Sequence, residues 1–206
     1  MAGTASQIAL PLSAGFRGPD RIVIGQANAR VATALRNPQD WPFRTAVITG
    51  PPRSGKSLFA HWFAASGQGD ALDDAQALDE TDVFHRWNRA QESERPLLVV
   101  GGSQPWKISL PDLRSRLGAA MQLEIQPPDD AMAADLLLSL AQQRGLALGA
   151  DAADYLVPRA ERSQAELERL VEQIDILSLE RKAPPTLGIW RAALDAVRGP
   201  EEPRLL

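Results

Sequence analysis

The chain has 206 residues, a net charge of −4, 44% hydrophobic and 23% charged residues, the balance of a globular protein with one mid-sized domain or a core plus an appendage. It contains no cysteine, which excludes disulfides, thiolate metal sites and cysteine catalysis and fits a cytoplasmic setting; its two histidines, His61 and His85, are too scattered for a metal site. The acidic balance argues against a large nucleic-acid footprint, no apolar run approaches the roughly 18 residues that span a bilayer, and the N-terminus lacks a secretion-signal pattern.

Residues 1–20 are rich in Gly, Ala, Ser and Pro and read as a flexible arm. Within it, Gln7-Ile8-Ala9-Leu10-Pro11-Leu12 is held extended by Pro11. Displaying Ile8, Leu10 and Leu12, with Gln7 as a polar anchor, it suits apolar pockets on a partner; the alternative is a strand folding back on its own domain. Residues 21–128 then alternate strand and helix. A turn-like lead-in at Val23-Ile24-Gly25 precedes a helix with Asn28 as N-cap and Val31, Ala34 and Leu35 on one side. Trp41, Pro42 and Phe43 read as packing ahead of the apolar strand Thr45-Ala46-Val47-Ile48-Thr49.

That strand feeds Gly50-Pro51-Pro52-Arg53-Ser54-Gly55-Lys56-Ser57, and the helix-prone Leu58-Phe59-Ala60-His61-Trp62-Phe63 follows. This is G-x-x-x-x-G-K-[ST] in its strand–loop–helix setting, a phosphate-binding loop. Its backbone N–H groups and the helix N-terminus form a cradle for phosphates. Lys56 would reach the β/γ-phosphates, and the Ser57 hydroxyl would take one position on magnesium. The bland alternative, a glycine-rich turn, does not account for both flanks. Asp73 and Asp74 are the carboxylates placed to complete the magnesium site, or else an acidic turn, since only Ala71-Leu72 precedes them as a strand.

A helix from Asp79 to Gln91 carries Val83, Phe84 and Trp87 on one face. Pro96 to Gly102 is a buried strand ending in glycines with the Ser103 hydroxyl just beyond it, Leu110 to Leu117 a short helix with Arg114 and Arg116, and Met121 to Ile125 a last strand. The alternation implies an α/β fold with a parallel sheet covered on both faces. Residues 129–198 hold only helices and read as a small helical bundle, with Ser163 and Glu166 in a capping-box pattern; residues 199–206 read as a loose tail.

A P-loop core followed by a small helical lid resembles the AAA+ plan, and three stretches resemble its DnaA branch: Gly25-Gln26-Ala27-Asn28, Phe84-His85-Arg86-Trp87-Asn88-Arg89, and Leu110-Pro111-Asp112-Leu113-Arg114-Ser115-Arg116-Leu117. The chain stops after the lid, without the DNA-binding domain of a full initiator, and its N-terminal peptide is similar to the "QL-x-LPL" clamp-binding peptide of the Hda-type proteins. The resemblance implies a regulator of replication initiation that binds the DNA polymerase III sliding clamp and promotes hydrolysis of DnaA-bound ATP. Its own loop would take ADP or ATP with magnesium, and Arg116 would act in trans as an arginine finger, against a plain surface salt bridge. Partners would be the clamp and DnaA; membrane and direct DNA contact are not expected, and self-association stays open.

The chain also departs from that pattern. The interval between P-loop and Asp73 is short by one strand and one helix, so a four-stranded sheet is expected, in the family order fifth–first–fourth–third. The family's sensor-2 arginine aligns with Ala165 and its sensor-1 polar residue with Gly102. Poor ATP hydrolysis by the chain itself follows. Two other readings are carried: an autonomous AAA+ ATPase acting as loader or remodeller, and a DNA-binding initiator-like protein.

Overall fold

The computed structural model describes residues 6–9, 21–103 and 106–198; Leu10, Pro11 and Leu12 of the N-terminal peptide and the tail from residue 199 lie outside these. The chain divides into two compact units, Ser6–Pro127 and the segment from Pro128 onward.

The first unit runs β1 (Ser6–Ala9), β2 (Arg21–Ile24), α1 (Ala29–Leu35), β3 (Thr45–Thr49), α2 (Lys56–Ala65), β4 (Asp70–Leu72), α3 (Glu80–Glu92), β5 (Leu97–Val100), α4 (Pro111–Ala119) and β6 (Met121–Glu124). Strands β3 to β6 form a parallel sheet ordered β4-β5-β3-β6, the order expected for a core lacking one edge strand. The register sets Thr45 beside Leu97, Ala46 beside Met121 and Leu72 beside Val99. Every residue of β3 and β5 is buried, as the central strands of a sheet covered on both faces must be. Alternation splits their side chains between two cores. Ala46, Ile48, Leu98 and Val100 pack with Val31, Leu35, Phe59 and Phe63 of α1 and α2, whereas Val47, Leu97 and Val99 pack with Val83, Leu113 and Leu117 of α3 and α4.

The structure refines three sequence expectations. Ser6–Ala9, read within a flexible arm or else as a strand folding back on its own domain, pair antiparallel with β2, Gln7 opposite Val23 and Ile8 opposite Ile22. The pairing satisfies backbone groups of β2 that would otherwise face solvent at an open edge, which composition alone could not reveal. Asn28 is the N-cap residue of α1, as expected, but its side chain makes no cap bond; its Oδ1 accepts from Gly25 N at 3.0 Å and its Nδ2 donates to Val23 O at 2.9 Å, tying β2 to the helix instead. Trp41 is buried with its ring centre 5.1 Å from that of Phe63, but Phe43 is 58% exposed at φ 50° and is not part of the core.

The second unit contains α5 (Asp130–Gln143), α6 (Ala150–Leu156), α7 (Gln164–Arg181) and α8 (Leu187–Arg198). Their shared core includes Leu137, Leu156, Leu167, Leu170, Ile174 and Trp190, the residues that recur at helical spacing. Asp129 caps α5 by accepting from Met132 N at 2.8 Å, and Ser163 caps α7 by accepting from Glu166 N at 3.2 Å. The Glu166 carboxylate lies 3.6 Å from Arg169, so only the forward half of the capping box is made.

Candidate functional site

The loop after β3 is held by the sheet beside it. Gly101 N donates to Ile48 O at 2.9 Å, Gly50 N to Gly102 O at 3.2 Å, and Ile125 N to Thr49 O at 2.8 Å, so the ends of β3, β5 and β6 are laced together where the loop begins. A Cβ on Gly50 would lie 2.9 Å from Ile125 O and 3.1 Å from Ser54 Oγ, so only glycine fits there. Gly55 opens α2 at φ 88°, in the left-handed region, and α2 begins without a side-chain cap. Its first N–H groups therefore have no side-chain acceptor. Arg53, within the loop, is also left-handed at φ 57°. Ser54 Oγ is buried without a hydrogen-bond partner, an orphan of the kind that ligand or water normally satisfies.

Lys56 Nζ donates to the loop's own carbonyls, Gly50 O at 2.9 Å and Pro51 O at 2.7 Å. Partial burial holds its ammonium below the ordinary lysine value, and the carboxylates of Asp73 and Asp74 oppose that shift. Both aspartates, directly after β4, thus lie within electrostatic reach of Lys56. Asp74 is left-handed at φ 49°, with its N–H bonded to Asp73 Oδ1 at 2.9 Å, and both carboxylates are exposed. Ser103 Oγ donates to Gly50 O at 3.5 Å. Gln76, which the sequence reading passed over, donates Nε2 to Asp74 Oδ1 at 3.1 Å and abuts Gly102. The only signal for it in the sequence is its place two residues beyond the aspartate pair.

These residues fit a polyphosphate: a cradle no Cβ can enter, a left-handed glycine at a helix N-terminus, and a lysine held within the loop. Among the described residues no group of three or more His, Cys, Asp or Glu gathers. Ser57, exposed in the first turn of α2, with Asp73 and Asp74, would therefore supply only part of a magnesium shell shared with phosphate oxygens and water.

The other predicted residues lie elsewhere in the same unit. Gln7 and Ile8 are in β1. Arg116, in the last turn of α4, is half-buried against α3: its guanidinium carbon lies 4.3 Å from the Phe84 ring centre and 4.5 Å from that of Trp87, and Nη1 donates to Asn88 Oδ1. Among the described residues no carboxylate is paired with it. Phe84, Trp87 and Asn88 share one face of α3 at i, i+3 and i+4.

A P-loop at the head of a parallel sheet, followed in the chain by a separate four-helix unit, is the AAA+ fold. The fold matches domain III of the Thermotoga maritima replication initiation protein DnaA with a TM-score of 0.71 at 15% identity, over 87% of this chain and 95% of that one. It matches a replication initiator DnaA bound to AMPPCP and single-stranded DNA at 0.63 and 16%, over 78% of this chain and 66% of that one. The FIGL-1 AAA domain in complex with ADP matches at 0.62 and 14%, over 87% and 84%. Residues 130–189 match the family model described as Hda, lid domain. The chain as a whole thus has the fold of DnaA domain III, and its second unit is similar to the Hda lid. Among its described residues no helix is long and apolar enough to cross a membrane.

Proposed function

We propose that this chain regulates replication initiation in the cytoplasm: it binds the sliding clamp of DNA polymerase III through its N-terminal peptide, holds ADP or ATP on its own P-loop, and promotes hydrolysis of ATP bound to DnaA. The observation that carries this reading is an Hda-type lid on a DnaA-like P-loop core. Gly50 to Ser57 cradle the phosphates, Lys56 adds the cation, and Ser57 with Asp73 would supply part of a magnesium shell that phosphate oxygens and water complete. Bound nucleotide supplies the negative charge that the cradle is built to meet; the chain's own residues bind and orient it.

Arg116 acts on the partner's nucleotide. Its planar guanidinium is ordered on two aromatic faces and by Asn88, which lowers the entropy lost when it engages a phosphate. Such a cation stabilises charge in phosphoryl transfer and accounts for a rate factor of about 10³–10⁵. The clamp peptide includes β1, so capture by the clamp either leaves the β1–β2 pairing in place and uses Leu10, Pro11 and Leu12, or unzips it.

The test adds the purified chain and DNA-loaded clamp to ATP-bound DnaA and follows phosphate release. Wild type accelerates release; a chain that does not sinks the reading. Leu10 and Leu12 changed together to Ala abolish clamp binding in the same assay series, with unchanged affinity counting against the peptide.

A further inference from the structure

Gly102 lies two residues beyond β5 and carries no side chain. The space a side chain there would claim is taken by Gln76. A Cβ built on Gly102 would strike the Gln76 carboxamide, Oε1 first, then Cδ at 2.7 Å and Nε2 at 3.0 Å. The amide reaches this place from the turn after β4, where Nε2 is bonded to Asp74 Oδ1 at 3.1 Å. Both residues it meets, Asp74 and Gly102, connect to the P-loop. Gly102 O receives the Gly50 N–H that anchors the P-loop, and Asp74 acts electrostatically on Lys56, the residue that reaches the terminal phosphates in such loops. Gln76 is nevertheless exposed, so it does not fill a core.

We propose that Gln76 is the group by which this chain distinguishes a nucleoside triphosphate from a diphosphate, delivered from the β4–α3 connection into the space left by Gly102. This rests on the P-loop reading given above. A carboxamide carries two N–H donors and a carbonyl acceptor. One N–H can keep Asp74 in its left-handed turn while the other meets a terminal phosphate oxygen. A neutral donor suits this position, because Asp73 and Asp74 already bring negative charge to the same side of Lys56.

The experiment titrates the full chain with fluorescent ADP and ATP analogues, with thermal protection by the unlabelled nucleotides as a second readout. Gln76→Ala weakens ATP by about 10-fold, the worth of a hydrogen bond to a charged group, and leaves ADP within about twofold. Gln76→Glu weakens ATP further by repulsion. Gly102→Asn alone collides with Gln76 and lowers affinity for both nucleotides; combined with Gln76→Ala it returns an amide to the same space and restores the ATP preference. An unchanged ATP-to-ADP ratio in Gln76→Ala overturns the proposal, as does an equal loss for both nucleotides with a lowered melting temperature. Lys56→Ala separates the two failures. If it abolishes both affinities while Gln76→Ala changes neither, the P-loop reading stands and the proposal falls. If wild type binds neither nucleotide, or Lys56→Ala binds like wild type, the P-loop reading falls and takes the proposal with it.

Discussion

The P-loop unit and the lid are built on opposite economies of backbone. In the first, Phe43, Arg44, Arg53, Asp74 and Glu94 hold left-handed conformations without being glycine, α2 starts uncapped, and Ser54 Oγ has no partner. In the lid, among the described residues, the corresponding conformation is found at Lys182, the C-cap of α7, where helices commonly end that way, and α5 and α7 start on side-chain caps. Arg53 and Asp74 hold such conformations close to the lysine that would meet a ligand, and Ser54 Oγ is in the same loop; the lid has buried orphans of its own at Ser178 Oγ and Trp190 Nε1. The lid also starts α6 on Gly149 without a side-chain cap, but it caps α5 and α7 and buries Leu137, Leu167, Leu170 and Ile174. One unit is shaped for chemistry and the other for packing.

The largest expected effect tests whether the chemistry lies where this contrast puts it. Arg116→Ala lowers stimulation of DnaA-bound ATP hydrolysis by about 10³-fold, read as single-turnover phosphate release. Arg116→Lys recovers little, because an ammonium cannot reproduce the planar contacts with Phe84 and Trp87. Full stimulation by either variant would reduce Arg116 to a packing residue. Next, Leu170→Ala costs about 2–5 kcal/mol through the cavity it leaves. Hydrogen exchange should quicken in α5 to α8 and hold steady in β3 and β5; equal acceleration in both units would break the contrast.

A matched pair of glycines sharpens it. Gly55 and Gly145 have similar left-handed angles, φ 88° and 72°, and nothing lies within 4 Å of a Cβ at Gly145. Each change to Ala costs on the order of 1 kcal/mol in denaturant unfolding. Only Gly55→Ala should also weaken nucleotide binding, and the same loss from Gly145→Ala would contradict the division of labour. The smallest effect is Ser163→Ala, about 1 kcal/mol or less from the lost cap on α7, visible as fraying of its first turn by exchange while nucleotide affinity is unaltered.

Much of this was legible beforehand because it is local. The loop from Gly50 to Ser57 is contiguous, and its strand and helix flank it directly, so its setting could be checked within some twenty residues. Lid helices declare themselves through apolar spacing at Leu167, Leu170, Val171 and Ile174, and through Ser163 before them. β4, three residues long, stayed open beforehand, because Ala71-Leu72 before the aspartate pair is too short a run to tell a strand from an acidic turn. Asn28 shows where local rules stop: its residue type promised a cap, but its amide found the Val23 carbonyl and the Gly25 N–H closer to hand.

From the sequence alone come the phosphate-binding loop, the parallel α/β class, the helical lid and the likeness to the DnaA branch, all carried by residue order at short range. Tertiary structure decided what depends on distant segments competing for one space. Ser6–Ala9 became a strand because β2 offered an edge; Arg116 settled on α3 because Phe84 and Trp87 present their faces there; Gln76 reached the loop because Gly102 has no side chain to keep it out. Backbone periodicity follows from neighbours in the chain, whereas edge pairing, stacking and the filling of a gap are set by which surfaces the fold brings together.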